Sequence, residues 1–78
     1  MRRQIKINYE EGVVNIYDVT SDGGDAVFDS FVHMMGEDWI GDSYHEDVMT
    51  IEYGMDISDK AADIKHWAEE YEVEIIEK

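Results

Sequence analysis

Between residues 8 and 59 the chain has no Lys or Arg, while Asp and Glu recur throughout that stretch. A carboxylate without a nearby counter-ion is costly to bury, so each must face water. Every element in the stretch must therefore collect its apolar residues on one side. Over the whole chain twenty Asp and Glu face six Lys and Arg, a net charge of -14. A folded chain of 9.1 kDa has roughly 4,900 Å² of surface, so self-repulsion at this density opposes folding. The same field excludes nucleic acid and anionic membranes as direct partners. It favours a basic partner.

Seventy-eight residues make one acidic domain, 1–78. With no Cys, disulfides, thiolate zinc sites and thiol nucleophiles are excluded. Pro and Leu are also absent, so the core must come from nine Ile, seven Val, five Met and nine aromatic residues. No apolar run approaches the ~20 residues that cross a bilayer. The N-terminus lacks the apolar run of a signal peptide, and a cytoplasmic location is expected.

Residues 4–10 alternate, with Ile5, Ile7 and Tyr9 on one face and Lys6, Asn8 and Glu10 on the other. That is a half-buried strand. Glu11-Gly12 reads as a two-residue turn into a second strand over 13–20, which sets Tyr9 opposite Val14 and Ile7 opposite Ile16. The other face of that strand carries Val13, Tyr17 and Val19, apolar enough to suit a second copy of the chain. A helix follows from about Asp25 to Gly36, with Val27, Phe28, Phe31, Val32, Met34 and Met35 on a broad apolar face. Residues 37–47, EDWIGDSYHED, read as a polar connection. Residues 48–55 read as a third strand, with Met49, Ile51, Tyr53 and Met55 on one face. Ser58 then caps a second helix whose buried stripe is Ala61, Ile64, Trp67, Ala68 and Tyr71. Val73 to Glu77 suits a short last strand. The expectation is an α+β two-layer sandwich: a small mixed sheet of three to four strands, two helices on one face, order β-β-α-β-α-(β). Ile5, Ile7, Val14, Ile16, Phe28, Phe31, Ile51, Ile64 and Trp67 should be buried.

Motifs for chemistry are missing. Asp22-Gly23-Gly24-Asp25 fails the alternating ligand pattern of a calcium loop and reads as a strand-to-helix turn. His33, His45 and His66 form no helical ligand pair, so no metal or cofactor is expected. The four Ser lie in no nucleophile-elbow context, and His45-Glu46-Asp47 is an ordinary polar run. The chain reads as a non-enzyme.

The acidic surface is the remaining signal. Asp25, Asp29, His33 and Glu37 recur at i, i+4, about 6 Å apart along a helix axis. The connection adds Asp38, Asp42, Glu46 and Asp47, and holds Trp39 and Tyr44 among them. Aromatics ringed by charge are typical interface anchors. Trp39 has a second reading, in which it and Ile40 fold back to cap the core beyond the first helix. A net charge of -14 on a body roughly 30 Å across compares with one face of a DNA segment of that length.

A short, Cys-free, acidic α+β chain with a stretch such as EDWIGDSYHED resembles the small phage-encoded inhibitors that mimic nucleic acid. Anti-CRISPR proteins, anti-restriction proteins and uracil-DNA glycosylase inhibitors belong to this group. The resemblance lies in size, charge and class. It implies an inhibitor whose carboxylates occupy the basic groove of a nucleic-acid enzyme, with CRISPR effector complexes as the first target class. A phage-encoded protein of this kind would act in the host cytoplasm. The partner-binding residues would be Asp25, Asp29, Glu37, Asp38, Trp39, Asp42, Tyr44, Glu46 and Asp47. The competing expectation is an acidic immunity-type or regulatory protein that binds one basic partner without imitating nucleic acid.

Overall fold

The structure, a computed structural model, describes residues 3–20, 23–36 and 39–77. Seven elements follow in the order β1 (Arg3–Asn8), β2 (Val13–Tyr17), α1 (Gly24–Met35), β3 (Gly41–His45), β4 (Val48–Glu52), α2 (Ala61–Glu70) and β5 (Val73–Glu77). A 3-10 turn, Ser58–Lys60, leads into α2. The strands form one five-stranded mixed sheet in the order β3-β4-β2-β1-β5. Only the β1–β5 pair is parallel. The fold is α+β with two helices, but the sheet has five strands rather than three or four. The order is β-β-α-β-β-α-β.

The extra strand is β3, which lies inside the stretch expected to be a connection. Four of its five residues are exposed, so it has no apolar alternation to announce it. It exists because β4 offers an open edge: Gly41 pairs with Glu52 and His45 with Val48.

The first hairpin pairs two residues out of the register its sequence suggests, with a longer loop. Ile7 lies opposite Val14 and Ile5 opposite Ile16, so Tyr9 faces no β2 residue. The loop has four residues, 9–12, because Asn8 organises it. Its carbonyl accepts the Gly12 N–H at 2.9 Å and its side-chain oxygen accepts the Glu11 N–H at 3.2 Å. Gly12 has φ of 71°, and a Cβ there would lie 2.1 Å from the Met55 carbonyl oxygen. A two-residue shift keeps every side chain on its face, which is why the core survives the altered register.

That face carries Ile5, Ile7, Val14, Ile16, Ile51 and Val73, and joins Val27, Phe31 and Met35 of α1 and Ile64, Trp67 and Ala68 of α2 in one core cluster. Phe31 and Trp67 meet edge to face, centroids 4.9 Å apart. The Trp67 indole N–H donates to Ser30 Oγ at 2.9 Å, and the Ser30 hydroxyl donates to the Val27 carbonyl. Such a chain lets a buried indole keep its polar atom satisfied.

Several placements differ from expectation. Phe28 is only half-buried, packed at the edge of the core. Val19 is buried instead of lining the outer sheet face. Asp18, at φ 58°, ends β2 and turns the chain inward. The face proposed for a second copy therefore loses a third of its apolar residues. Lys60, not Ser58, is the N-cap of α2, and Ser58 opens the 3-10 turn instead. The Ser58 N–H donates to Asp56 Oδ1 at 2.7 Å. Tyr71 and Met55 are exposed. Among the described residues no helix is long and apolar enough to cross a membrane.

Candidate acidic interface

Every described Asp and Glu except Asp47 is exposed, and among the described residues no charged side chain is buried. The surface measures 5020 Å² for a net charge of -14. Few cations answer it. Arg3, Lys6 and Lys60 are half-buried, and the exposed Lys65 reaches Glu77 at 3.9 Å.

Three of the expected interface residues come together. A groove of about 540 Å³ runs between α1 and the segment leading into β3, lined by Phe28, Asp29, Val32, His33, Gly36, Trp39 and Asp42. The helix supplies positions i, i+1, i+4, i+5 and i+8 from Phe28, which is one continuous stripe. Asp42 reaches the groove because it pairs with Ile51 and so lies on the helix side of the sheet. Trp39 is half-buried and packs against the core while lining the groove. That packing agrees with its reading as a lid on the core. The result is an apolar trough with a carboxylate on each bank, suited to a cationic side chain with a hydrocarbon stem.

The other expected residues scatter. Asp25 is exposed in the first turn of α1, favourably placed against the helix N-terminus. Tyr44, 51% exposed, lies on the edge strand β3. Ile40, expected beside Trp39 on the core, is instead 73% exposed and precedes that strand. Glu46 sits in the β3–β4 turn at φ 56°, 4.0 Å from the His45 imidazole. Glu37 and Asp38 lie outside the described residues.

Asp47 has a structural task. Its carboxylate accepts the Thr20 N–H at 2.7 Å and the Thr20 hydroxyl, and its carbonyl accepts the Val19 N–H at 3.2 Å. It thereby ties the β3–β4 turn to the loop entering α1. The close approach of Gly24 to the Val19 carbonyl completes that junction, since a Cβ would lie 2.2 Å from the oxygen. The Thr20 hydroxyl, then its N–H, hold the Asp47 carboxyl below its ordinary range. The Ser58 hydroxyl and N–H do the same for Asp56. Repulsion among neighbouring carboxylates acts upward on a carboxyl; at these two positions hydrogen bonding prevails and the shift is downward.

Sequence reasoning passed over Phe28, Val32 and His33 as lining residues. Their helical spacing beside Asp29 carries the signal, but Phe28 and Val32 also belong to the apolar helix face, which points to the core. Among the described residues no group of three or more His, Cys, Asp or Glu is placed to hold a metal. Comparison with family models, with curated proteins and with solved structures finds no match.

Proposed function

We propose that this chain is a non-enzymatic inhibitor that binds a basic nucleic-acid-binding protein and occupies the surface that protein uses for DNA or RNA. CRISPR effector complexes are the target class put forward. The observation that carries the reading is the groove joining Asp29, Trp39 and Asp42, set in a surface where carboxylates face solvent almost without counter-ions. Asp25, Asp29, Asp42 and Glu46 would meet Arg and Lys that otherwise hold phosphates, through charge-assisted bonds. Glu37 and Asp38, adjoining the groove in sequence, belong to the same proposed surface. The protein would act in the cytoplasm. A second reading, an acidic partner of one basic protein without nucleic-acid mimicry, draws on the exposed Ile40 and Tyr44, which resemble protein-interface anchors more than phosphates.

Competition separates the two. A purified, guide-loaded CRISPR effector is incubated with labelled target DNA and increasing amounts of this protein. Mutual displacement is expected, and the pair Asp29→Lys with Asp42→Lys should abolish it while the fold is retained. DNA and protein bound together without displacement would leave the second reading standing.

A further inference from the structure

A second groove, of about 340 Å³, lies between the two helices. Helix α2 contributes Asp63, His66, Trp67 and Glu70, followed by Tyr71; α1 contributes Ser30, His33 and Met34. These are i, i+3, i+4, i+7 and i+8 on one helix and i, i+3, i+4 on the other, the spacings of two facing stripes. Facing stripes of this kind normally close on apolar residues. Here Trp67 is buried in the core with Met34 packed at its edge, and the Trp67 indole N–H is committed to Ser30. Tyr71 stays 44% exposed, its ring 5.8 Å from that of Trp67. Asp63 and Glu70 are exposed on the same helix, and no Lys or Arg lines the groove.

We infer that the α1–α2 groove receives an arginine side chain presented by a basic protein segment. The occupant follows from the lining. Met34, Tyr71 and the edge of Trp67 offer an apolar floor for the methylene stem. The Tyr71 ring offers a face for the planar guanidinium, and Asp63 and Glu70 offer carboxylates two helical turns apart. An ammonium group matches the carboxylates but stacks less well on a ring, so arginine is selected over lysine. His66 lies beside Glu70, at 3.3 Å. His33 belongs to this groove and also to the one holding Asp29, Trp39 and Asp42, so the two grooves flank one ridge of α1. The identity of the partner rests on the proposed function; the groove's preference for arginine does not.

The test uses two probes, acetylated and amidated tetra-arginine and tetra-lysine, titrated into the labelled protein and followed by amide and indole NMR shifts at low salt. Shifts should concentrate on Ser30, His33, Met34, His66, Tyr71 and the Trp67 indole, and tetra-arginine should bind more tightly. Asp63→Asn with Glu70→Gln should weaken tetra-arginine about tenfold. Glu10→Gln with Glu11→Gln, which removes the same charge from the β1–β2 loop, should change it little. Tyr71→Ala, which removes no charge, should weaken tetra-arginine several-fold and tetra-lysine less. Equal losses for the two charge pairs, shifts spread over the whole surface, or an unaffected Tyr71→Ala variant would each overturn the inference. Asp29→Lys with Asp42→Lys should leave the NMR response at Tyr71 in place. Failure of the proposed inhibition and failure of the arginine groove are thus separately visible.

Discussion

Phe31 is the side chain on which the two helices depend. It is fully buried, meets Trp67 edge to face, and sits in the cluster shared with the sheet. Its truncation to Ala should cost ~3–5 kcal/mol, enough to unfold a domain of this size at room temperature. Chemical denaturation of Phe31→Ala beside the parent chain checks this; similar midpoints would contradict the packing. Gly12 is sensitive for a different reason. Its left-handed φ and the Met55 carbonyl 2.1 Å from any Cβ combine strain with a backbone clash. Gly12→Ala should lose at least about 2 kcal/mol although it adds only a methyl group. Asp47 brings in pH. A carboxyl held low in the folded state contributes stability above its unfolded pKa of ~3.9, and that contribution is lost as pH falls through the folded value. The melting-temperature gap between the parent and Asp47→Ala should therefore be full at pH 7 and shrink below pH 4. A gap constant from pH 7 to pH 3 would mean that the Thr20 clamp does not need the charge.

The elements differ in how plainly they were written in the sequence. β1, β2 and β4 alternate with period 2, and α1 and α2 repeat near 3.6, so burial of Ile5, Ile7, Val14, Ile16, Phe31, Ile51, Ile64 and Trp67 was legible. The hairpin register was not, because Glu11-Gly12 suggests a two-residue turn while the Asn8 side chain makes a four-residue one. β3 was invisible because its pairing is a backbone matter and its side chains stay in water on both faces. The candidate site shows the same limit. Asp29, Trp39 and Asp42 were singled out by charge and aromaticity, yet their meeting depends on β3, which carries Asp42 to the helix side. The tie from Asp47 to Thr20 was hidden for the same reason, since a long-range hydrogen bond leaves no local pattern. Edge position also predicts dynamics. β3 has a neighbour on one side only, whereas β1 and β2 are paired on both. Amide exchange should be slowest in β1 and β2 and fastest among the strands in β3 and β5. Protection of β3 equal to that of β1 would mean that another surface covers this edge in solution.

At the scale of the molecule, charge and size set the conditions under which the fold persists. The body measures 30 × 25 × 22 Å, so most carboxylates lie within a few tens of Å of one another. At 0.01 M ionic strength the screening length is about 30 Å, comparable to the molecule, and nearly every pair of like charges interacts. At 0.15 M it is about 8 Å, and only near neighbours remain coupled. The unfolded chain spreads the same net charge of -14 over a larger volume and suffers less repulsion. Added salt should therefore stabilise the folded state, with most of the gain below about 0.2 M, where the screening length falls fastest. The local ion pair Lys65–Glu77 works in the opposite sense but is exposed and worth little. Thermal melts at pH 7 from 0.01 to 0.2 M sodium chloride test the balance. A rising midpoint is expected, and it should rise less for a variant in which exposed carboxylates far from either groove, Glu10, Glu11 and Glu74, are changed to Gln. A midpoint that stays level or falls with salt would show that attraction between the few cations and their neighbours outweighs the acidic excess. The surface would then be organised for internal pairing rather than for capture of a basic partner.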